Sequence, residues 1–172
     1  MQRLRLFFAF ALLLAGIAAA PTALRAQAAP ANDDKTAVKS LYDQFTKAFN
    51  KGDVNGIMAF YAPDVFVFDL APPREYPTWA AYKKDWQDLF DMFPGPVATS
   101  VSELHITVAG SVAYTHFIND TRLNAKDGSK THLVARVTDV LRKQNGKWLI
   151  VLEHVSVPVD PGTGKSDLLS KP

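Results

Sequence analysis

The chain has 172 residues, with 19 basic and 17 acidic side chains and no cysteine. The lack of cysteine excludes a disulfide framework and a lipid anchor on an N-terminal cysteine. No basic stripe occurs, so nucleic-acid binding has no electrostatic support, and the length suits a single domain.

The N-terminus has the pattern of a secretory signal peptide. Arg3 and Arg5 precede an unbroken run of apolar and small residues at 7–20, and small residues alternate at Ala26 and Ala28. The run is shorter than the ~20 residues of a membrane-spanning helix, which favours cleavage over an uncleaved anchor. We therefore predict that the signal peptide is 1–28 and that the mature, slightly acidic protein is periplasmic or secreted, with no membrane contact after cleavage.

The first predicted helix of the mature chain is amphipathic. Apolar residues between Val38 and Phe49 recur at steps of three and one, which leaves one face of a helix wet. A polar cap is available just before it at 32–34, and Gly52 ends it. A short second helix is predicted over 54–61.

A strand with an acidic end follows at 65–70. Its two faces are apolar, which predicts that both are covered. Asp69 nevertheless closes one face, and a carboxylate in apolar surroundings is costly unless it is paired, hydrogen-bonded or protonated. Asp69 is therefore either a strand end held by the next loop and paired with Arg74, or a functional group at a pocket. A third helix with an aromatic face is predicted from Thr78 to Phe93.

The apolar period changes to two after Pro96, which predicts a meander of antiparallel strands separated by turns such as Asn145-Gly146. The predicted strands are 97–109, 112–123, 131–143 and 147–157. Helices followed by such strands are typical of the α+β class, with three helices packed on a strongly curved sheet that encloses a cavity. We predict one domain over 29–160 and a flexible tail over 161–172.

Two stretches resemble the nuclear transport factor 2-like superfamily. The first runs from Gly52-Asp53 through a short helix to a strand closed by Phe68-Asp69, and the second is Asn-Gly-Lys-Trp-Leu-Ile-Val-Leu-Glu-His-Val-Ser at 145–156. Within the superfamily the chain is similar to ketosteroid isomerases and SnoaL-like polyketide cyclases, and its last strand to the association domain of calmodulin-dependent protein kinase. The resemblance implies a cone-shaped fold that hosts enzymes, binding proteins and assembly domains alike.

The resemblance also implies roles for single residues. Asp69 stands where steroid isomerases keep the general base, and Asp139 where they keep an acid that donates to the oxyanion. Phe45 stands where they keep a second donor, a tyrosine, and losing one such donor costs on the order of 100- to 1,000-fold in rate. Tyr61 stands where some members of this group keep a supporting tyrosine, and His116 stands at a position that lines their pocket.

Strand alternation suggests which side chains face the cavity. Asp139 shares a face with apolar residues, which favours an inner position. On the last strand, alternation places Ile150 with His154 and opposite Glu153, and it leaves open which of these faces points inward. The predicted acid–base groups are Asp69, Asp139 and His116, and the predicted pocket lining is Phe45, Tyr61, Val67, Trp86, Tyr114, Ile118 and Val137.

The polar candidates also have structural interpretations. Asp139 could pair with Arg122 or Arg136, and His116 could be a core or interface histidine. His116 shares a strand face with Asp120, but the four histidines show no metal-ligand spacing, so no metal or cofactor is predicted. Neither a Gly-rich phosphate loop nor a nucleophile elbow occurs in the sequence.

Three functions fit these patterns. The leading hypothesis is an exported domain that binds a small apolar or carbonyl-bearing molecule in an apolar pocket with a few acid–base groups. The alternative is an isomerase, cyclase or dehydratase that moves a proton next to a carbonyl, with Asp69 as base. The third is a non-catalytic dimerisation or accessory module, and a homodimer is the expected assembly.

Overall fold

A computed structural model describes residues 31–170 of the chain, so the predicted signal peptide lies outside the described residues. The elements are α1 (Ala31–Phe49), α2 (Val54–Met58), β1 (Tyr61–Phe68), α3 (Trp79–Met92), β2 (Ala98–Ala109), β3 (Val112–Asn124), β4 (Lys130–Gln144) and β5 (Lys147–Ser156). None of the helices in this part of the chain combines the length and apolar character needed to cross a membrane.

The five strands form one sheet in the order β1-β5-β4-β3-β2. β1 pairs parallel with β5, and the other neighbours are antiparallel. The helices pack on one face of this sheet, and the α+β class is confirmed. The β4–β5 turn uses Asn145 and Gly146 with φ of 49° and 80°, the positive values that a tight hairpin turn requires.

The first turn of α1 is tied to the sheet through a buried carboxylate. α1 begins earlier than predicted, so Asp34 lies inside the helix rather than capping it. Asp34 accepts hydrogen bonds from Nζ of Lys143 at 2.6 Å and from Nε1 of Trp148 at 3.1 Å. The bond from Lys143 lowers the pKa of Asp34, and these contacts fix the N-terminal end of α1 against β4 and β5.

β1 is an edge strand, which explains where it differs from the prediction. It begins at Tyr61 and contains Pro63, which a sheet tolerates at its edge. Val67 is fully buried, but Phe68 and Leu70 are 38% and 36% exposed. The prediction that both faces are covered is wrong, because the helices lie on the inner face of the sheet and leave this outer side open.

A bulge changes the phase of β5. The register between β4 and β5 shifts at Val151, which is left without a partner. As a result Ile150 and Glu153 are both buried on the inner face, although three positions separate them, and His154 is exposed. The prediction that Ile150 and Glu153 lie on opposite faces is therefore wrong.

The C-terminal segment returns to the sheet. The backbone N–H of Val134 in β4 donates to the carbonyl of Leu168 at 2.7 Å, and Val159 forms an isolated bridge with Ser166. The described part of the segment predicted as a flexible tail, 161–170, thus makes backbone contacts with the domain.

Candidate functional site

The site is built on a row of polar side chains that crosses the inner face of the sheet. The strand register pairs Thr115 of β3 with Asp139 of β4, and Asp139 with Glu153 of β5. Directly opposed residues of antiparallel strands point to the same face, so these side chains are neighbours. Thr115 and Asp139 are 0% exposed and Glu153 is 5% exposed. The fold therefore places two carboxyl groups side by side beneath the helices.

These carboxyl groups line a cavity of about 550 Å³ between the sheet and the helices. The wall is mostly apolar and aromatic, with Phe45, Phe49 and Trp86 from the helices and Phe117 from β3. Met92, which is 64% exposed, lies where the cavity reaches solvent. Small-molecule sites have roughly 300–1,000 Å³ and the same mixture of apolar walls and few polar groups.

Tyr42 of α1 holds Asp139 in place. Its hydroxyl donates to Oδ2 of Asp139 at 2.6 Å and accepts from the hydroxyl of Thr115 at 2.5 Å. Burial raises the pKa of Asp139 to about 7, while the hydrogen bond from Tyr42 acts in the opposite direction. Burial and the neighbouring charge of Asp139 raise the pKa of Tyr42, so the phenol stays protonated and remains the donor.

Tyr61 and Tyr82 hold Glu153 from the other side. The hydroxyl of Tyr61 donates to Oε2 at 2.8 Å, and that of Tyr82 donates to Oε1 at 2.5 Å. Burial, followed by the charge of Asp139, raises the pKa of Glu153 well above its ordinary value. Two adjacent buried acids that make no ion pair with any residue of 31–170 favour the form in which at least one of them keeps its proton.

Asp69 joins this network through Tyr82. The hydroxyl of Tyr82 lies 3.2 Å from Oδ2 of Asp69 and 2.5 Å from Glu153. The Tyr82 hydroxyl has a single proton and can donate it to only one of the two carboxyl groups. When both contacts are hydrogen bonds, the other acid is therefore protonated and donates to the Tyr82 oxygen. Burial raises the pKa of Asp69, which agrees with a protonated acid in this network. Oδ1 of Asp69 accepts a hydrogen bond from the backbone N–H of Leu70.

Two buried side-chain atoms in the described chain lack a hydrogen-bond partner, and both belong to residues of the cavity wall. They are Oδ1 of Asp139 and Nε1 of Trp86. The indole N–H of Trp79 donates to a backbone carbonyl at 3.2 Å, and that of Trp148 donates to Asp34 at 3.1 Å. Neither atom presents accessible surface to the cavity, and Asp139 shares a side-chain hydrogen bond with Glu153 when one of the two acids carries a proton.

Several of the predicted site residues lie on this cavity. Asp69 and Asp139 line it together, with Phe45, Trp86 and Val137 in its wall. Tyr61 and Val67 are buried but do not lie on the wall. Tyr61 stands behind the cavity, where it supports Glu153.

The prediction that Tyr114, His116 and Ile118 line the pocket is wrong. They lie on the outer face of β3, where Tyr114 is 51% exposed and His116 stacks on His105 with 4.7 Å between ring centroids. The inner face of β3 carries Thr115 and its alternate neighbours instead. That inner face is partly polar, so hydrophobicity did not distinguish it from the outer one.

The ion pairs predicted for the acids do not form within residues 31–170. Arg122 pairs with Asp120 at 2.9 Å rather than with Asp139, and Asp69 makes no ion pair with Arg74. In the same part of the chain no cluster of three or more histidine, aspartate or glutamate side chains is placed to hold a metal ion.

Tyr42, Tyr82 and Glu153 are the site residues that the sequence did not assign. Tyr42 lies three residues before Phe45, so both occupy one face of α1, and that spacing was the available signal. Glu153 could be placed only with the bulge in β5, which alternation does not reveal.

The sequence and the fold match a known family. A family model described as SnoaL-like domain matches residues 38–160. The chain belongs to the SnoaL-like domain family. The predicted membership of the nuclear transport factor 2-like superfamily is confirmed by solved structures.

Three solved structures illustrate the likeness. An NTF2-like protein of unknown function from Pseudomonas putida KT2440 is 28% identical over 82% of this chain and 98% of that chain, with a TM-score of 0.74. An NTF2-like superfamily protein from Salmonella enterica serovar Typhimurium is 19% identical over 79% and 99%, with a TM-score of 0.69. A ketosteroid isomerase-like protein from Erwinia carotovora atroseptica is 17% identical over 73% and 96%, with a TM-score of 0.63. No curated protein matched the chain.

Proposed function

We propose that this SnoaL-like domain binds a small, mostly apolar molecule in the cavity between helices and sheet. The observation that carries the proposal is a cavity of about 550 Å³ whose wall is mostly apolar and aromatic and includes a few polar side chains. A guest with an apolar body buries hydrocarbon against the aromatic wall, at about 25 cal/mol for each Å² removed from water.

Asp139 and Glu153 supply the acid–base character beneath this cavity. Burial raises the pKa of both carboxyl groups, and the two share a side-chain contact. A pair that keeps a proton carries less charge, which suits a mostly apolar guest.

Equilibrium dialysis with 1-pyrenemethanol tests the proposal, because this probe combines an apolar body with one hydroxyl group. Leu133 lines the cavity and Leu149 of β5 does not, although both are partly buried. We expect saturable binding to the wild type, at least tenfold weaker binding to Leu133→Trp, and unchanged binding to Leu149→Trp. Equal binding to the two variants, or none to the wild type, would contradict the proposal.

Proton transfer next to a carbonyl is the second candidate. Its support is that Tyr82 links Asp69 to Glu153 at the cavity and that burial raises the pKa of Asp69, as suits a general base. Phe45, however, offers no hydroxyl, and the Tyr42 hydroxyl already donates to Asp139. The pair of oxyanion donors implied by the resemblance is thus incomplete, which ranks binding first.

Exchange of the α-protons of 2-tetralone in D₂O, followed by NMR, tests this candidate. Wild-type protein should accelerate the exchange and Asp69→Asn should abolish the acceleration. Asp91→Asn is the matched control, because Asp91 is exposed and lies outside the cavity wall. An acceleration that survives in Asp69→Asn excludes Asp69 as the base.

The proposal also includes export and a homodimer. Support for export is the leader pattern at 1–28, and sequencing the N-terminus of protein from the periplasm or medium should begin at Ala29. Support for a dimer is the exposure of Val112 and Tyr114, 45% and 51%, on the outer face of the sheet. Sedimentation should give twice the chain mass for the wild type and a monomer for Tyr114→Glu, and a monomeric wild type would contradict this assembly.

A further inference from the structure

A second group of polar side chains lies on the inner face of the sheet, away from the two acids. It consists of Thr99 on β2 and of Asn119 and Thr121 on β3, and we call it the polar ladder. Asn119 and Thr121 line the cavity. Asn119 lies four positions along β3 from Thr115, which at ~3.3 Å per residue is about 13 Å from the acid pair. The cavity therefore has a second polar end.

The end of α1 fixes the position of Thr99 in this ladder. The backbone N–H of Thr99 donates to Oδ1 of Asn50 at 2.6 Å, and Nδ2 of Asn50 donates to the carbonyl of Thr99 at 3.3 Å. Thr99 is buried, and the strand register places it directly opposite Thr121. The ladder is therefore held by contacts with the helix as well as by the sheet.

The distances in the ladder set the direction of its hydrogen bonds. Oγ1 of Thr99 lies 2.5 Å from Oδ1 of Asn119, a separation that suits O–H···O and is too short for N–H···O. The amide oxygen has no proton, so the Thr99 hydroxyl donates to it. The contact of 2.8 Å between the two threonine hydroxyls then requires Thr121 to donate to Thr99. The carbonyl of Asp120, at 3.5 Å from Oγ1 of Thr99, is too far away to compete for that proton.

This arrangement uses the oxygen of Asn119 and leaves its amide N–H groups available. Within residues 31–170, Nδ2 of Asn119 donates to no protein acceptor, and it is not one of the two unpartnered atoms that lack accessible surface. The side chains opposite Asn119 are Val101 and Ala135, which offer no acceptor. The cavity wall thus presents a donor without an acceptor, in a fixed orientation, beside apolar side chains.

We infer that Asn119 selects guests that carry a carbonyl group, whose oxygen accepts a hydrogen bond from the Asn119 amide. This inference rests on the proposed function and names the class of guest, an apolar ketone or ester. A carbonyl oxygen has lone pairs and no proton, which matches a group that only donates. Among the described residues the cavity wall includes no lysine or arginine, so a carboxylate at this place would be buried without a cation.

Two probes that differ in one oxygen test the inference. 2-Acetylnaphthalene and 2-ethylnaphthalene have nearly the same shape, and only the first has a carbonyl group. Equilibrium dialysis gives the ratio of their affinities for each protein, and comparing this ratio between variants removes the difference in how water solvates the two probes. We expect the ratio to favour the ketone most strongly in the wild type.

Variants of Asn119 show whether the amide causes the preference. Asn119→Leu has a similar shape and no donor, so the preference for the ketone should fall at least threefold. Asn119→Asp keeps an oxygen for Thr99 and replaces the amide nitrogen by an acceptor, so the fall should be at least tenfold. Asn55→Asp makes the same exchange at an exposed position of α2 outside the cavity wall, and the preference should persist. Melting temperatures check that the variants are folded.

A measurement on the wild type does not depend on the folding of any variant. In ¹⁵N-labelled protein, an N–H proton of the Asn119 side chain should move downfield with 2-acetylnaphthalene and not with 2-ethylnaphthalene. If both probes bind and neither this signal nor the affinity ratio depends on the carbonyl or on Asn119, the inference is overturned and the binding function stands. If neither probe binds the wild type, the proposed function fails and the inference fails with it.

Discussion

Asp139→Asn removes the buried acid and keeps its shape. The side-chain oxygen of asparagine still accepts from Tyr42, so the hydrogen bond to α1 is retained. Asparagine does not ionise, so the variant lacks the cost of charging this position inside the cavity. We expect Asp139→Asn to become more stable relative to the wild type as the pH rises.

The size and sign of this effect follow from the pKa of Asp139. The ordinary value is 3.8 and the folded value is about 7, so the folded state binds the proton more tightly than the unfolded state. Stability from this group is fully present below pH 3.8 and is lost as the pH rises to about 7. With about 1.4 kcal/mol for each pH unit, the wild type loses roughly 2–3 kcal/mol between pH 5 and 8 that the variant does not lose.

Urea denaturation at a series of pH values between about 5 and 8 measures this difference. Subtracting the two unfolding free energies removes the titrations of groups that do not interact with Asp139, and what remains belongs to Asp139 together with Glu153, whose pKa depends on the charge of Asp139. A difference that stays flat over the whole range would show that Asp139 titrates in the ordinary range, and it would refute the account of a desolvated acid.

Two further predictions concern contacts that hold the helices on the sheet. Tyr42→Phe removes the donor to the buried Asp139 carboxyl and should lower the free energy of unfolding by about 1–3 kcal/mol at pH 8. The control Tyr114→Phe removes an exposed hydroxyl and should change that free energy by less than about 0.5 kcal/mol. Equal effects of the two substitutions in chemical denaturation would contradict the role of Tyr42. Asp34→Asn should destabilise the protein and the exposed Asp33→Asn should not. Because the Lys143 contact lowers the pKa of Asp34, the difference should begin to shrink in the ordinary range of aspartate and vanish only below the lowered pKa of Asp34. Thermal melts at a series of pH values from neutral to below the ordinary aspartate range measure the second effect, and a difference that does not shrink over that series would count against it.

Local patterns in the sequence were sufficient for most of the fold. The change of apolar period after Pro96 and the Asn145-Gly146 turn predicted the meander, and the bounds of its four strands differ from the prediction by at most one residue at either end. These signals are local, since a turn type and a two-residue repeat depend on neighbours in the chain. The likeness at 145–156 then identified the superfamily before any geometry was known.

The candidate site depended on features that are not local. Glu153 faces inward because Val151 is bulged out of register, and no residue type in that stretch announces a bulge. His116 carried the more obvious chemistry, yet the register between β3 and β4 places Thr115 beside Asp139 and turns His116 outward. Which face of a strand lies under the helices is decided by tertiary packing.

Tyr42 shows the limit of transferring roles by position. The resemblance directed attention to Phe45, whose missing hydroxyl suggested an incomplete site. In the structure the hydroxyl comes from one helical turn earlier and is directed at Asp139. A residue-by-residue match therefore located the right face of α1 and the wrong side chain.

The indole N–H of Trp86 offers the most direct test of ligand binding in the cavity. The chain has three tryptophans, and those at positions 79 and 148 already donate to protein oxygens. In a ¹⁵N-labelled protein, with Trp86→Phe used to assign its signal, adding 1-pyrenemethanol should shift the Trp86 indole resonance and leave the other two in place. A Trp86 signal that does not move while dialysis shows the probe to be bound would place the ligand elsewhere and contradict the account.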